Sequence, residues 1–248
     1  RPFRYRPVPQ MAMQRLKRRA CNAMIGGEIP YHPVIAMLRL LLFLLMTAIL
    51  ASTPLAADDE ENGGKRVMMT RDLFSLTVTH KGEKLEIRRN QDRTNEITPF
   101  YRSTWRGRIQ PMNPFSPQNV ETIGELEMLD YIRRLDAGER NILIIDSRMP
   151  GSTRRGMIPL AVNIPYRELK GEKMAGIMQE QFGVVPGDPV WNFRDAATLV
   201  MYCNGPWCGQ SPTAIKRLLR AGYPASRIKY YRGGMQSWES LGLTVVEP

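Results

Sequence analysis

Histidine is almost missing from this chain: two residues, His32 and His80, among 248. Only His80 lies beyond residue 57, far in sequence from either downstream cysteine. A Cys–His dyad and a Ser-His-Asp triad both need an imidazole beside the nucleophile, so neither is expected. No group of His, Cys, Asp and Glu recurs at metal-ligand spacing, and no metal or other cofactor is expected. A glycine-rich phosphate loop after the first apolar strand is also lacking. Cysteine is scarce too, at Cys21, Cys203 and Cys208, and no Lys or Arg occurs between positions 203 and 215. Internal repeats and low-complexity runs are absent.

The formal charge of +11 would favour nucleic acid or an anionic membrane if it were spread over the fold. Eight of the 35 basic residues and one of the 24 acidic ones lie in 1–57, which leaves 27 against 23, or +4, for 58–248. No basic stripe with interleaved aromatics remains, so no nucleic-acid partner is expected. At the front, residues 37–57 run from Met37 and Arg39 through an apolar stretch, Leu40 to Ala51, to small residues ending at Ala57. That order is a secretory signal peptide. The apolar stretch is short of the ~20 residues a membrane span needs, so no stable span is expected after cleavage. Residues 1–36, rich in Arg, Pro and Met, read as a non-native or disordered extension. The expected location is periplasmic or secreted, and there Cys203 and Cys208 are the only cysteines, in a compartment where a disulfide persists.

Residues 58–118 read as an N-terminal hairpin and wrap. Phe74, Leu76 and Val78 alternate, as do Leu85 and Ile87, about Lys81-Gly82, which predicts a hairpin. The stretch 91–118 is polar and aperiodic, an irregular wrap. From Glu121 the pattern becomes regular. Ile123, Leu126, Leu129, Ile132 and Leu135 predict one helical face ending at Gly138, and residues 141–148 a wholly apolar strand of the kind found in parallel sheets. Strands at Ala161–Ile164, Thr198–Tyr202 and Ile228–Tyr231 alternate with helices at Glu172–Phe182, 212–221 and Gly234–Leu241, with Trp238 in the core. The fold class is therefore α/β, a parallel sheet flanked by helices with an N-terminal β-hairpin.

Cys203 follows the central strand, and Ser211 and Pro212 are suited to cap and open the next helix. A cysteine between a strand end and a helix start faces unpaired N–H groups and the positive end of the helix dipole, which favour the thiolate. Two readings stay open for Cys208: a second reactive thiol that closes a disulfide with Cys203, or an incidental loop residue. Trp207 either walls a pocket or packs over the loop.

Four ordered stretches resemble rhodanese-like domains: IIDSR (144–148), GMIPLAVNIP (156–165), LVMYC (199–203) and IKYYRGGMQSWESLGL (228–243), which together place that domain at 119–248. The resemblance implies that Cys203 accepts a sulfane sulfur as a persulfide and passes it to a thiol or other thiophilic acceptor. It makes Asp146 and Arg148 braces of the fold. The loop NGPWCGQS departs from the family pattern, which often carries an Arg there to hold an anionic donor. Asn204, Gly205, Trp207, Gly209, Gln210 and Ser211 are left to line the substrate site through neutral groups and backbone N–H. An exported sulfurtransferase with Cys208 as resolving thiol is the leading expectation. A thiol–disulfide oxidoreductase using the same pair, or a catalytically silent module that docks a protein through 66–118, are the alternatives.

Overall fold

The computed structural model describes residues 66–187 and 190–248. The expected signal peptide and N-terminal extension lie outside the described residues. No helix among the described residues is long and apolar enough to cross a membrane.

Two strands open the structure, β1 (Ser75–His80) and β2 (Glu83–Arg88), antiparallel, with His80 opposite Glu83. Lys81 and Gly82 both take positive φ, 51° and 86°, the backbone of a two-residue turn whose twist matches the strands it joins. A four-residue helix α1 (Pro99–Arg102) interrupts the irregular wrap that follows. The α/β body comprises β3 (Glu121–Ile123), α2 (Glu125–Asp136), β4 (Ile142–Asp146), α3 (Pro150–Thr153), β5 (Val162–Asn163), α4 (Gly171–Glu180), β6 (Thr198–Tyr202), α5 (Gln210–Arg220), β7 (Ile228–Tyr231) and α6 (Gly234–Ser240). The five body strands form one parallel sheet in the order β3-β7-β6-β4-β5.

Alternation along the strands divides the core in two. Ile145, Leu199, Met201, Ile228 and Tyr230 face the side covered by α4 and α5. Ile142, Ile144, Val200, Tyr202 and Tyr231 face the side covered by α2 and α6. Both sheet faces are thus apolar, which is why β4 and β6 are uninterrupted hydrophobic runs. Val78 and Ile87 of the hairpin and Tyr101 of α1 belong to the second cluster, together with Trp238. The segment before the body is consequently part of its core. Its edge is sewn to the chain end: Asn90 N–H donates to Gly242 O at 2.7 Å, Arg88 N–H to Thr244 Oγ1 at 3.0 Å, and Arg89 bridges Leu243.

Two local expectations are corrected. Glu121–Ile123 is a short edge strand, not the start of a helix, and Gly124 caps α2 with its N–H bonded to Glu127 Oε2 at 2.9 Å. The helix therefore turns Met128, Leu129 and Ile132 inward and leaves Leu126 57% exposed. Three residues are too few for a period-2 signal to compete with the helical spacing that runs on from them. Similarly α5 begins at Gln210 with Gly209 as its cap, one to two residues before the expected Ser211-Pro212 start.

Trp238 is fully buried, and its Nε1–H donates to Thr244 O at 2.8 Å, so it ties α6 to the terminal segment that holds the hairpin. Trp238→Ala is expected to cost about 3–5 kcal/mol, measurable as a lowered urea midpoint.

Candidate functional site

The loop 203–209 leaves β6 at its carboxyl end, the usual ligand end of a parallel sheet. Its shape is set by short backbone bonds. Cys208 N–H donates to Gly205 O at 2.9 Å, while Met235 and Gln236, at the start of α6, donate to Cys203 O and Asn204 O at 3.0 and 2.9 Å. Only glycine permits that last approach. Gly234 has φ +55°, and a Cβ there would lie 2.4 Å from Cys203 O.

Both cysteines are free thiols, Cys203 2% and Cys208 4% exposed. Cys203 Sγ lies 3.5 Å from Cys208 O, and Asn204 Nδ2 donates to Cys208 Sγ at 3.6 Å. The two sulfurs titrate as a pair. The Cys203 thiol's hydrogen bond, with N–H donors at Gln210 and Asn204, draws Cys208 down to about 6 against its burial. Burial, followed by the adjacent Cys208, pushes the Cys203 thiol well above its ordinary value, and only Ser211 N–H and hydroxyl oppose this. Cys208 is therefore the more acidic of the two thiols, and the Cys203 thiol donates to the Cys208 carbonyl.

Behind Cys208 runs a buried relay that begins at the ion pair Asp146–Arg148, both side chains fully buried. Arg148 Nε and Nη2 contact Asp146 at 2.9 and 2.6 Å, and Nη2 also donates to Gly156 O at 2.6 Å. Arg148 Nη1 donates to Tyr101 Oη at 3.0 Å, and Tyr101 O–H donates to Asn204 Oδ1 at 3.0 Å. An amide whose oxygen accepts from Tyr101 must present its NH₂ to Cys208. Burial raises the Tyr101 phenol to about 12, so it remains a neutral donor. Asp146 and Arg148 thus hold β4 and the 152–156 turn and also reach Cys208 through two intermediaries.

Of the residues expected to line the site, Asn204 donates to Cys208 Sγ, while the buried Ser211 hydroxyl has no hydrogen-bond partner. Gly205 packs against Gln236, and a Cβ there would lie 2.8 Å from Gln236 Oε1. Gly209 caps α5, and Gln210 contributes its N–H to Cys208. Trp207 packs over the loop: Nε1–H donates to Gln236 Oε1 at 2.8 Å, and the Arg106 guanidinium lies 5.1 Å from its ring. His80 is distant, accepting from Leu160 N–H at 3.3 Å.

Sequence reasoning missed Tyr101, Arg106, Gln110, Arg232 and Gln236. The first three come from the wrap, whose lack of periodicity concealed that it covers the loop. A tyrosine and three arginines without an acidic residue in 97–120 were the available signal.

Two outcomes follow. Asp146→Ala strands the Arg148 charge in the core and is expected to cost about 3–5 kcal/mol by urea denaturation. Tyr101→Phe leaves the Asn204 amide unoriented and is expected to raise the Cys208 pKa from about 6. Because thiolate is the reactive form, the alkylation rate at pH near 6 falls several-fold in this variant, with its pH profile displaced upward and the alkaline plateau retained.

Comparison with known proteins agrees with this architecture. The model of the rhodanese-like domain matches residues 129–241. An HTH-type transcriptional regulator of Mycobacterium tuberculosis is 32% identical over 132 residues, 53% of this chain and 46% of that protein. The chain therefore spans about half the length of that relative. A sulfurtransferase of Allochromatium vinosum is 28% identical over 126 residues, 51% of this chain and 97% of that one. The crystal structure of a rhodanese-related protein of Thermoplasma volcanium is 20% identical, with a TM-score of 0.33, covering 52% of this chain and 99% of its own. With its parallel sheet and the cysteine loop at the carboxyl end of the central strand, this chain carries a rhodanese-like domain over residues 129–241.

Proposed function

We propose that this protein is an exported sulfurtransferase that carries sulfane sulfur on Cys203. The observation supporting the reading is the pair of buried free thiols at the carboxyl end of β6, with Asn204 Nδ2 donating to Cys208 Sγ. The cycle begins when Cys203 gives up its proton to the neighbouring, more acidic Cys208. The Cys203 thiolate attacks the outer sulfur of an organic persulfide, R–S–SH. The donor's S–S bond breaks, R–S⁻ leaves with the electron pair, and Cys203–S–SH remains. An acceptor thiolate then takes the outer sulfur as its own persulfide and returns Cys203 to the thiolate. Cys208 serves as an internal base in the first step, a role that the missing histidine leaves open. Where no acceptor arrives, Cys208 attacks Cys203–S–SH at the inner sulfur, forming the disulfide and releasing HS⁻.

Export rests on the basic, apolar and small-residue order of residues 37–57. A small sulfur-containing donor and a thiol acceptor are the implied partners.

The full chain, incubated with glutathione persulfide and mapped by mass spectrometry, is expected to carry the added sulfur on Cys203. Cys203→Ser is expected to lose on the order of 1,000-fold in transfer rate. Full transfer by that variant, or the added sulfur on Cys208, overturns the assignment.

The adjacency of the two buried free thiols favours a second reading, electron transfer by a Cys203–Cys208 disulfide. That reading requires a reversible intraloop disulfide and loss of activity in Cys208→Ser; unchanged activity in the variant removes it.

A further inference from the structure

The sulfurs are covered, and the cover has an outer face of its own. Segment 103–112 crosses the cysteine loop with Gln110 N–H donating to Pro206 O at 2.8 Å and Arg232 Nε donating to Gln110 O at 2.9 Å. Arg106 lies 4.4 Å from the Phe100 ring and 5.1 Å from that of Trp207. At Gly107 the backbone passes so close that a Cβ would lie 3.1 Å from Trp207 O. With Cys203 2% and Cys208 4% exposed, a partner thiol reaches neither without a local movement, and this segment lies against the loop that carries them.

Its outward side chains are unlike an ordinary polar loop. Trp105 is 93% exposed, Ile109 80% and Met112 63%, all within eight residues of chain. Residues 97–120 hold three arginines and no acidic residue. Neither Arg106 nor Arg108 has an ion-pair partner among the described residues. Arg102 is paired with Glu96 and Arg106 lies over two rings, so Arg108 is the exposed unpaired charge of the segment. Exposed apolar side chains beside such a charge mark a contact surface for a partner of the opposite sign, where Trp and Arg are the usual anchors.

We infer that segment 103–112 is a docking lid for an acidic protein that carries the thiol exchanging sulfur with Cys203, gripping it through Trp105, Ile109, Met112 and Arg108. The proposal rests on the sulfurtransferase reading for what is exchanged. The partner's carboxylates pair with Arg108, and its apolar residues bury Trp105 and Ile109. That burial offsets the loss of the Gln110–Pro206 bond as the lid lifts. A protein thiol is favoured over a bilayer because the lid's inner face touches the cysteine loop, and a lipid surface brings no thiol to it.

The test uses two fluorescein-labelled peptides, one with a cysteine set among leucines and glutamates, the other with lysine for every glutamate. Binding is followed by anisotropy on the full-length Cys203→Ser protein, so that no sulfur chemistry is needed. The acidic peptide is expected to bind at least about tenfold more tightly at low salt, with the preference lost at high salt. Arg108→Glu is expected to invert the preference. The pair Trp105→Ala with Ile109→Ser is expected to weaken both peptides without moving the thermal midpoint, since those side chains are exposed. Equal binding of the two peptides, or variants that bind like the parent, overturns the docking surface. So does phosphatidylglycerol-vesicle binding that depends on Trp105 and Ile109 without any peptide preference. Intact peptide binding with no sulfur transferred by the wild type supports the lid and indicts only the reading of Cys203.

Discussion

Arg148 is the residue on which the other parts of this structure converge. Its fully buried guanidinium would be untenable alone, and Asp146 two residues earlier makes it affordable by meeting it with both carboxylate oxygens. The remaining donors are spent on three other acceptors: Gly156 O, Ser152 O and Tyr101 Oη. One side chain thereby ties strand β4 to two other segments, the following turn at 152–156 and a wrap nearly fifty residues upstream. Through Tyr101 and Asn204 the same charge is coupled to Cys208. The fold and the cysteine loop thus share a single buried network, in which the Asp146–Arg148 pair orients, through Tyr101, an amide toward Cys208.

The sheet supplies the second constraint. Because alternate residues of β4 and β6 point to opposite apolar layers, the carboxyl end of β6 is fixed from both sides. The turn from Gly233 into α6 then places N–H groups on the loop carbonyls of Cys203 and Asn204. The loop is held by main-chain bonds to neighbouring elements, which explains how NGPWCGQS keeps its shape without an internal charge. It also gives the thiol pair its asymmetry: Cys208 gathers N–H donors from Asn204 and Gln210, whereas Cys203 sits deeper with Ser211 alone.

The body was largely legible in the residues. Long apolar runs read as parallel strands, glycines marked helix ends, and alternation about Lys81-Gly82 located the hairpin at its turn. β3 was not legible, because three residues at a sheet edge gain their conformation from pairing with β7 rather than from any pattern of their own. The site was half legible. Cys203, Cys208, Asn204 and Ser211 are local to one loop and could be found from it. Tyr101, Arg106 and Gln236 reach the loop across long stretches of chain by hydrogen bonds and stacking, which leave no period in sequence. The ordering of the two thiol acidities was hidden for the same reason, since it depends on a relay assembled from three separate segments.

The seam between hairpin and chain terminus has a broader meaning for where this domain begins and ends. The stretch that defines family membership, 129–241, stops short of Thr244, of the hairpin bonded to it, of edge strand β3 and of the tyrosine that orients Asn204. The stretch that the family model matches is therefore smaller than the unit that packs together. In this protein the flanks are structural members: they bury Val78, Ile87 and Tyr101 against the body and orient Asn204 from outside the matched stretch.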